Sequence, residues 1–171
     1  MAISSLYNSH IVQTAESEDL QISKRTSIPN DDFIQELIRL LREGHMVTIK
    51  VQGHSMRPFL ENNRDKVIMR KPILLNVGMI VLVQIGNGCY VVHRIIKLKA
   101  DTIILRGDGN MTTENCRAED VMGEVIAFFR KDRKKAVCTN SLEWRVYSWI
   151  WIRLFPFRKY LLWLYRRLWI P

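Results

Sequence analysis

The stretch MIVLVQIGNGCYVVHRIIKL, residues 79–98, reads as two β-branched runs divided by Gly86-Asn87-Gly88. Branched side chains fit a pleated surface, and Gly and Asn punctuate it. The same texture extends in both directions, through MVTIKV and KVIMR before it and TIILR and VMGEVIAFF after it. No internal repeat is present, and no segment between the runs is long enough to be a crossover helix, which disfavours a doubly wound sheet. The expectation is a mostly β fold, a small partly closed antiparallel β-barrel-like core.

Ahead of this core, Phe33, Ile34, Leu37, Ile38 and Leu41 recur at helical spacing, with Asn30 or Asp31 placed to cap the start and Gly44 the end. The core is thus preceded by one helix. Residues 1–29 are polar and lack either periodicity, so they read as a loose arm. Three parts follow: an arm over 1–29, a core over 30–129 and a tail over 130–171.

Charge separates the tail from the rest. The chain has a formal net charge of +9, yet residues 1–129 hold fifteen basic and fifteen acidic side chains, against eleven and two in 130–171. All five tryptophans lie in the tail. Its uncharged runs, such as VYSWIWI and YLLWLY, fall far short of the ~20 apolar residues that span a bilayer. Arg145 and Arg153, and Lys159 and Arg166, are spaced to gather on one side of helices broken near Pro156. An amphipathic helical tail is expected, touching a membrane surface through residues 142–170. Nucleic acid is the poorer partner, because it would leave Leu161, Leu162, Leu164, Leu168 and Ile170 exposed.

Cys89, Cys116 and Cys138 form no C-x-x-C pair and leave one thiol over in any pairing, which points to a reducing compartment. No basic start followed by an apolar run opens the chain. The expected location is cytoplasmic, peripheral at the inner face of the membrane. His10 and His45 have no partners at metal-ligand spacing, so neither metal nor cofactor is expected.

The chemistry lies in VQGHSMRPFLENNRDKVIMR, residues 51–70, where a strand ends at Gly53 and Ser55 follows in a turn closed by Pro58. A serine hydroxyl needs a base within roughly 2.6–3.2 Å to become a nucleophile. His93, held by its strand, is the best candidate, and the backbone N–H of Ser55 could serve a developing oxyanion.

The segment Gly53-His54-Ser55-Met56-Arg57-Pro58-Phe59-Leu60 resembles the G-x-S-M-x-P-x-L nucleophile box of the signal peptidase I and LexA clan. Val91-Val92-His93-Arg94-Ile95 resembles the clan's second box, Gly107-Asp108-Gly109-Asn110 its G-D-x-N turn, and residues 119–125 its closing strand. The four boxes stand in the clan's order over residues 46–129. A Lys base serves the bacterial signal peptidases and LexA-type proteins, and His the branch similar to the endoplasmic-reticulum, archaeal and SipW-like enzymes. With His93 at that position the resemblance implies a Ser-His dyad. Imidazole, with an ordinary pKa of about 6.5, needs no heavy desolvation to act at pH 7.

The branch orients its imidazole with an acidic residue, for which Glu114 and Asp108 are the candidates; Asp108 is also an ordinary turn-former. His54, Met56, Pro58 and Phe59 flank the nucleophile as substrate-binding candidates. Alternation along the strand turns Arg94 away from His93, toward the surface. The implied activity is a serine endopeptidase cutting a peptide or protein in extended conformation, with small side chains favoured near the cut, as in maturation of a precursor at a membrane. One alternative is a self-cleaving LexA-type regulator, opposed by the absence of Ala-Gly and Cys-Gly dipeptides. The other is a non-hydrolytic peptide-binding module of the same fold, for which the departures at Met79 and Thr113-Glu114 leave room.

Overall fold

A computed structural model describes residues 30–86, 88–131 and 135–169, with only the backbone of Asn30, Asp31 and Trp169. The expected arm over 1–29, the capping side chains of Asn30 and Asp31, and Ile170 lie outside the described residues. Helix α1 (Asn30–Arg42) precedes strands β1 (Val47–Lys50), β2 (Lys66–Arg70), β3 (Ile80–Ile85), β4 (Cys89–Leu98), β5 (Ile103–Arg106), β6 (Glu114–Cys116), β7 (Val121–Phe129) and β8 (Val137–Cys138). Helices α2 (Leu142–Arg153) and α3 (Arg158–Trp169) follow, joined by a 3₁₀ turn over Phe155–Phe157 that carries Pro156.

The strands form one antiparallel sheet in the order β1-β2-β7-β3-β4-β5-β6, with β8 added on β7. The fold is mostly β, a curled half-barrel with one helix before it and helices after it. Register shifts at Ile68/Met69, Leu82/Val83 and Ile95/Lys97 accompany the curl. Such irregularities increase local twist and bend a strand.

The apolar stripe of α1 meets the sheet through Leu37, Ile38 and Leu41, all buried in the cluster that holds Val67, Met69, Leu82 and Phe128. Trp144 of α2 belongs to the same cluster. Its ring lies 4.1 Å from that of Phe59 and 5.1 Å from that of Phe128, centroid to centroid. Ser141 starts α2 by accepting the Trp144 N–H on its hydroxyl, fixing the helix where this ring must enter.

This packing joins the tail to the core. Trp144, Trp151 and Leu162 are buried, Trp144 in the sheet cluster, Trp151 on the Asp108 carbonyl and Leu162 beside the turns of His54, Arg57 and Gly109. The other side of α2 and α3 leaves Trp149, Ile150, Trp163, Leu164 and Leu168 exposed. Among the described residues no helix is long and apolar enough to cross a membrane.

Candidate active site

Strand β4 carries both residues on which the site turns, facing opposite ways. His93 is buried, and its Nδ1 lies 2.6 Å from Oε2 of Glu114 on β6. The ring's other nitrogen, Nε2, is also buried and makes no hydrogen bond among the described residues. A buried imidazole with one nitrogen held by a carboxylate has a fixed direction, and its other nitrogen is left without a protein partner. Buried polar atoms are seldom left so without a reason in function.

Arg94, the next residue, faces the far side and is fully buried rather than at the surface. Its Nε and Nη2 donate to the two carboxylate oxygens of Asp108 at 2.8 and 2.6 Å. Its Nη1 donates to the Gly78 carbonyl at 2.9 Å and to Ser148 Oγ at 2.6 Å. The Trp144 ring lies 4.8 Å away. This fork satisfies a planar guanidinium well, and it offsets the large desolvation cost of a buried ion pair. Arg94 misled because alternation sets the face a strand residue points to, not whether that face is covered. Here α2 covers it.

The same fork decides between the two acidic candidates. Asp108 commits both oxygens to Arg94, while Glu114 holds the imidazole. Asp108 is therefore a structural anchor of the Gly107–Asn110 turn, correcting its candidacy as a catalytic acid.

Ser55 reaches this neighbourhood through the backbone. The Gly109 N–H donates to the Ser55 carbonyl at 2.7 Å. A Cβ on Gly107 would collide with that carbonyl, and one on Gly109 would come within 3.0 Å of the His54 carbonyl and 3.1 Å of that of Arg57. Only glycine lets the two turns approach so closely. Gly107 follows Arg106, which pairs with Arg94 across β4 and β5, so the Ser55 turn is pinned beside the residue after His93. Ser55 is half-buried, and its hydroxyl makes no hydrogen bond among the described residues, to His93 or otherwise. Catalytic hydrogen bonds often tighten only when substrate is bound.

Of the four flanking residues, His54 is exposed and Pro58, after a cis bond from Arg57, is half-buried. Met56 and Phe59 are buried in the core, so neither lines a cleft, a correction to both. The turn that presents Ser55 outward directs these two inward, where Phe59 meets Phe128 edge-on at 4.6 Å.

The helices contribute residues that local sequence patterns do not disclose. Trp151 Nε1 donates to the Asp108 carbonyl at 3.3 Å, and Arg158 donates to the Trp151 carbonyl at 3.1 Å and the Asn110 carbonyl at 3.5 Å. Burial pulls the Arg158 guanidinium below its ordinary pKa; Asp108 opposes this, and Arg106 and Arg94 reinforce it. The turn that holds Ser55 is thus clamped from the tail. Only the unusual density of Trp and Arg in the tail pointed there.

No protein-family model and no curated protein matches this chain. The resemblance to the signal peptidase I and LexA clan therefore stands on the sequence motifs alone. Among the described residues no three His, Cys, Asp or Glu side chains are grouped to hold a metal ion.

Proposed function

We propose that this chain is a serine endopeptidase of the signal peptidase I and LexA type, with Ser55 as nucleophile, His93 as general base and Glu114 as the carboxylate that orients it. The observation that carries the reading is His93: a buried ring with Nδ1 on Glu114 and Nε2 without a protein partner. In the proposed reaction Ser55 Oγ attacks the scissile carbonyl as Nε2 takes its proton. The tetrahedral intermediate collapses when the imidazolium returns that proton to the leaving amine, and water, activated the same way, hydrolyses the acyl-enzyme. Glu114 fixes the tautomer and stabilises the imidazolium without itself accepting the proton.

A membrane surface is the proposed place of action, at the inner face in the cytoplasm. The reason is the outer side of α2 and α3, where exposed Trp149, Ile150, Trp163, Leu164 and Leu168 alternate with exposed Arg145, Arg153, Lys159 and Arg167. Apolar burial and attraction to anionic headgroups act together on such a face.

A non-hydrolytic peptide-binding module is the second reading, favoured by the missing hydrogen bond between Ser55 and His93. The two readings separate on incubation of the purified chain with a mixture of extended peptides, followed by mass spectrometry. The peptidase reading predicts cleavage that Ser55→Ala and His93→Ala abolish and that Glu114→Gln lowers by about 10²–10⁴-fold. Peptide binding without cleavage in any variant selects the second reading.

A further inference from the structure

A small cavity of about 290 Å³ lies beside the turns around Ser55, lined by its neighbour His54, by Gly109, which donates to the Ser55 carbonyl, and by Arg57, Leu162, Tyr165 and Arg166. Its floor is the pair of turns that carries the nucleophile, and its outer wall is α3. Its volume suits one side chain or a chain end.

The polar groups around it are unequal. Arg57 donates Nε and Nη2 to Glu61, at 2.8 and 2.5 Å, while its Nη1 makes no hydrogen bond among the described residues. The Tyr165 hydroxyl donates to the other Glu61 oxygen at 3.2 Å. Burial and the Glu61 carboxylate push this phenol above its ordinary pKa, so it remains a neutral donor. Glu61 thereby orders Arg57 and Tyr165 but is not among the cavity's lining residues. Arg166 lines the cavity with no ion pair or hydrogen bond among the described residues, and His54 is likewise unpaired. The lining residues include no carboxylate. Behind the Gly107–Asn110 turn, Arg106 and Arg158 add further positive charge without a salt bridge among the described residues, both packed on the Phe155 ring.

We infer that this cavity is a subsite for a carboxylate of the substrate, either an Asp or Glu side chain near the scissile bond or the free C-terminus of the peptide, held by Arg166 and Arg57. The inference rests on the peptidase reading for its place in a reaction, but the binding it describes does not require turnover. A carboxylate at this depth would accept from the open Nη1 of Arg57 and from the Arg166 guanidinium, a geometry that planar, fork-shaped donors favour. The Arg166 half of the subsite comes from α3, a part of the chain outside the segments that resemble the peptidase clan.

The test uses the full chain with Ser55→Ala and fluorescent extended peptides that carry Glu, Gln or Lys at single positions, each as free acid and as amide. Anisotropy reads binding, and the chain with Ser55 intact is assayed for cleavage of the same peptides in parallel. Glu over Gln at one position, or free acid over amide throughout, should bind at least about threefold more tightly, and the two patterns distinguish side chain from chain end. Arg166→Glu should abolish or reverse the preference toward Lys peptides, whereas Arg167→Glu, one residue away and outside the cavity, should leave it intact. Equal binding of Glu, Gln and Lys peptides in both chain-end forms overturns the inference, and so does a preference that Arg166→Glu leaves unchanged. Charge-selective binding without any cleavage retains the subsite while removing the peptidase reading.

Discussion

The Gly107–Asn110 turn is held from two sides by unlike means. On the sheet side, Arg94 and Asp108 form a buried pair whose charges cancel and whose donors are largely spent. On the helical side, Arg158 is equally buried but donates to backbone carbonyls, with the rings of Trp151 and Phe155 in place of a counter-ion. A compensated pair is costly to break at one end, whereas a cation held by carbonyls and ring faces can be exchanged more cheaply for an apolar side chain. The sheet side therefore supplies rigidity, and the helical side supplies cover.

The comparison breaks most completely if the helices are removed. Truncation after Asn140 takes away Trp144 and uncovers Phe59, Phe128 and Arg94, so the shortened chain should aggregate or lose cooperative unfolding by circular dichroism. Trp144→Ala is the milder form and should cost about 3–5 kcal/mol in chemical denaturation. A truncated core that unfolds cooperatively at the midpoint of the full chain would return the tail to the separate role its composition suggests.

The two sides are compared directly by Asp108→Asn and Arg158→Met. Leaving Arg94 buried and unpaired should cost about 3–5 kcal/mol. Losing the two carbonyl contacts of Arg158 should cost only about 1–2 kcal/mol, partly offset by removal of a buried cation. Equal losses in urea denaturation would mean that both sides hold the turn alike.

A smaller effect tests the sheet side away from the turn. Burial alone would raise the Asp65 carboxyl, but hydrogen bonds from Arg64 and from the Lys131 and Glu61 backbone N–H groups outweigh it and hold the pKa below the usual range. A depressed folded-state value means that stabilisation is fully present above the unfolded value of about 3.9 and is lost as pH falls through the folded value. The acid limb of the stability curve below about pH 4 should therefore flatten in Asp65→Asn. An unchanged limb in that variant would assign acid sensitivity to other carboxylates.

The parts of this molecule that could be read from sequence are those whose burial is decided within a few residues. The six longer strands announce themselves by branched runs, and α1 by the spacing of Leu37, Ile38 and Leu41. Strands β6 and β8, of three and two residues, are too short to carry a period, yet β6 delivers Glu114 to His93. The order of the four boxes narrowed the site to Ser55, His93 and an acidic residue, but separating Glu114 from Asp108 required knowing that Arg94 takes both Asp108 oxygens. Met56 and Phe59 were misassigned because adjacency to Ser55 says nothing of the direction a turn gives each side chain. The tail stayed ambiguous for a related reason: Trp, Arg and Leu suit a membrane face and the underside of a packed helix equally. Contacts to residues about a hundred positions away, such as Tyr165 to Glu61, separate the two.

The central claim is that His93 makes the Ser55 hydroxyl a nucleophile. Incubation of the full chain with a fluorophosphonate, followed by peptide mapping, tests it without knowledge of the substrate. The account predicts a single covalent adduct on Ser55 that is lost in His93→Ala and strongly slowed in Glu114→Gln, with the far-ultraviolet circular dichroism of both variants unchanged. No adduct on Ser55 in the well-folded chain, or labelling at the same rate in His93→Ala, would contradict it.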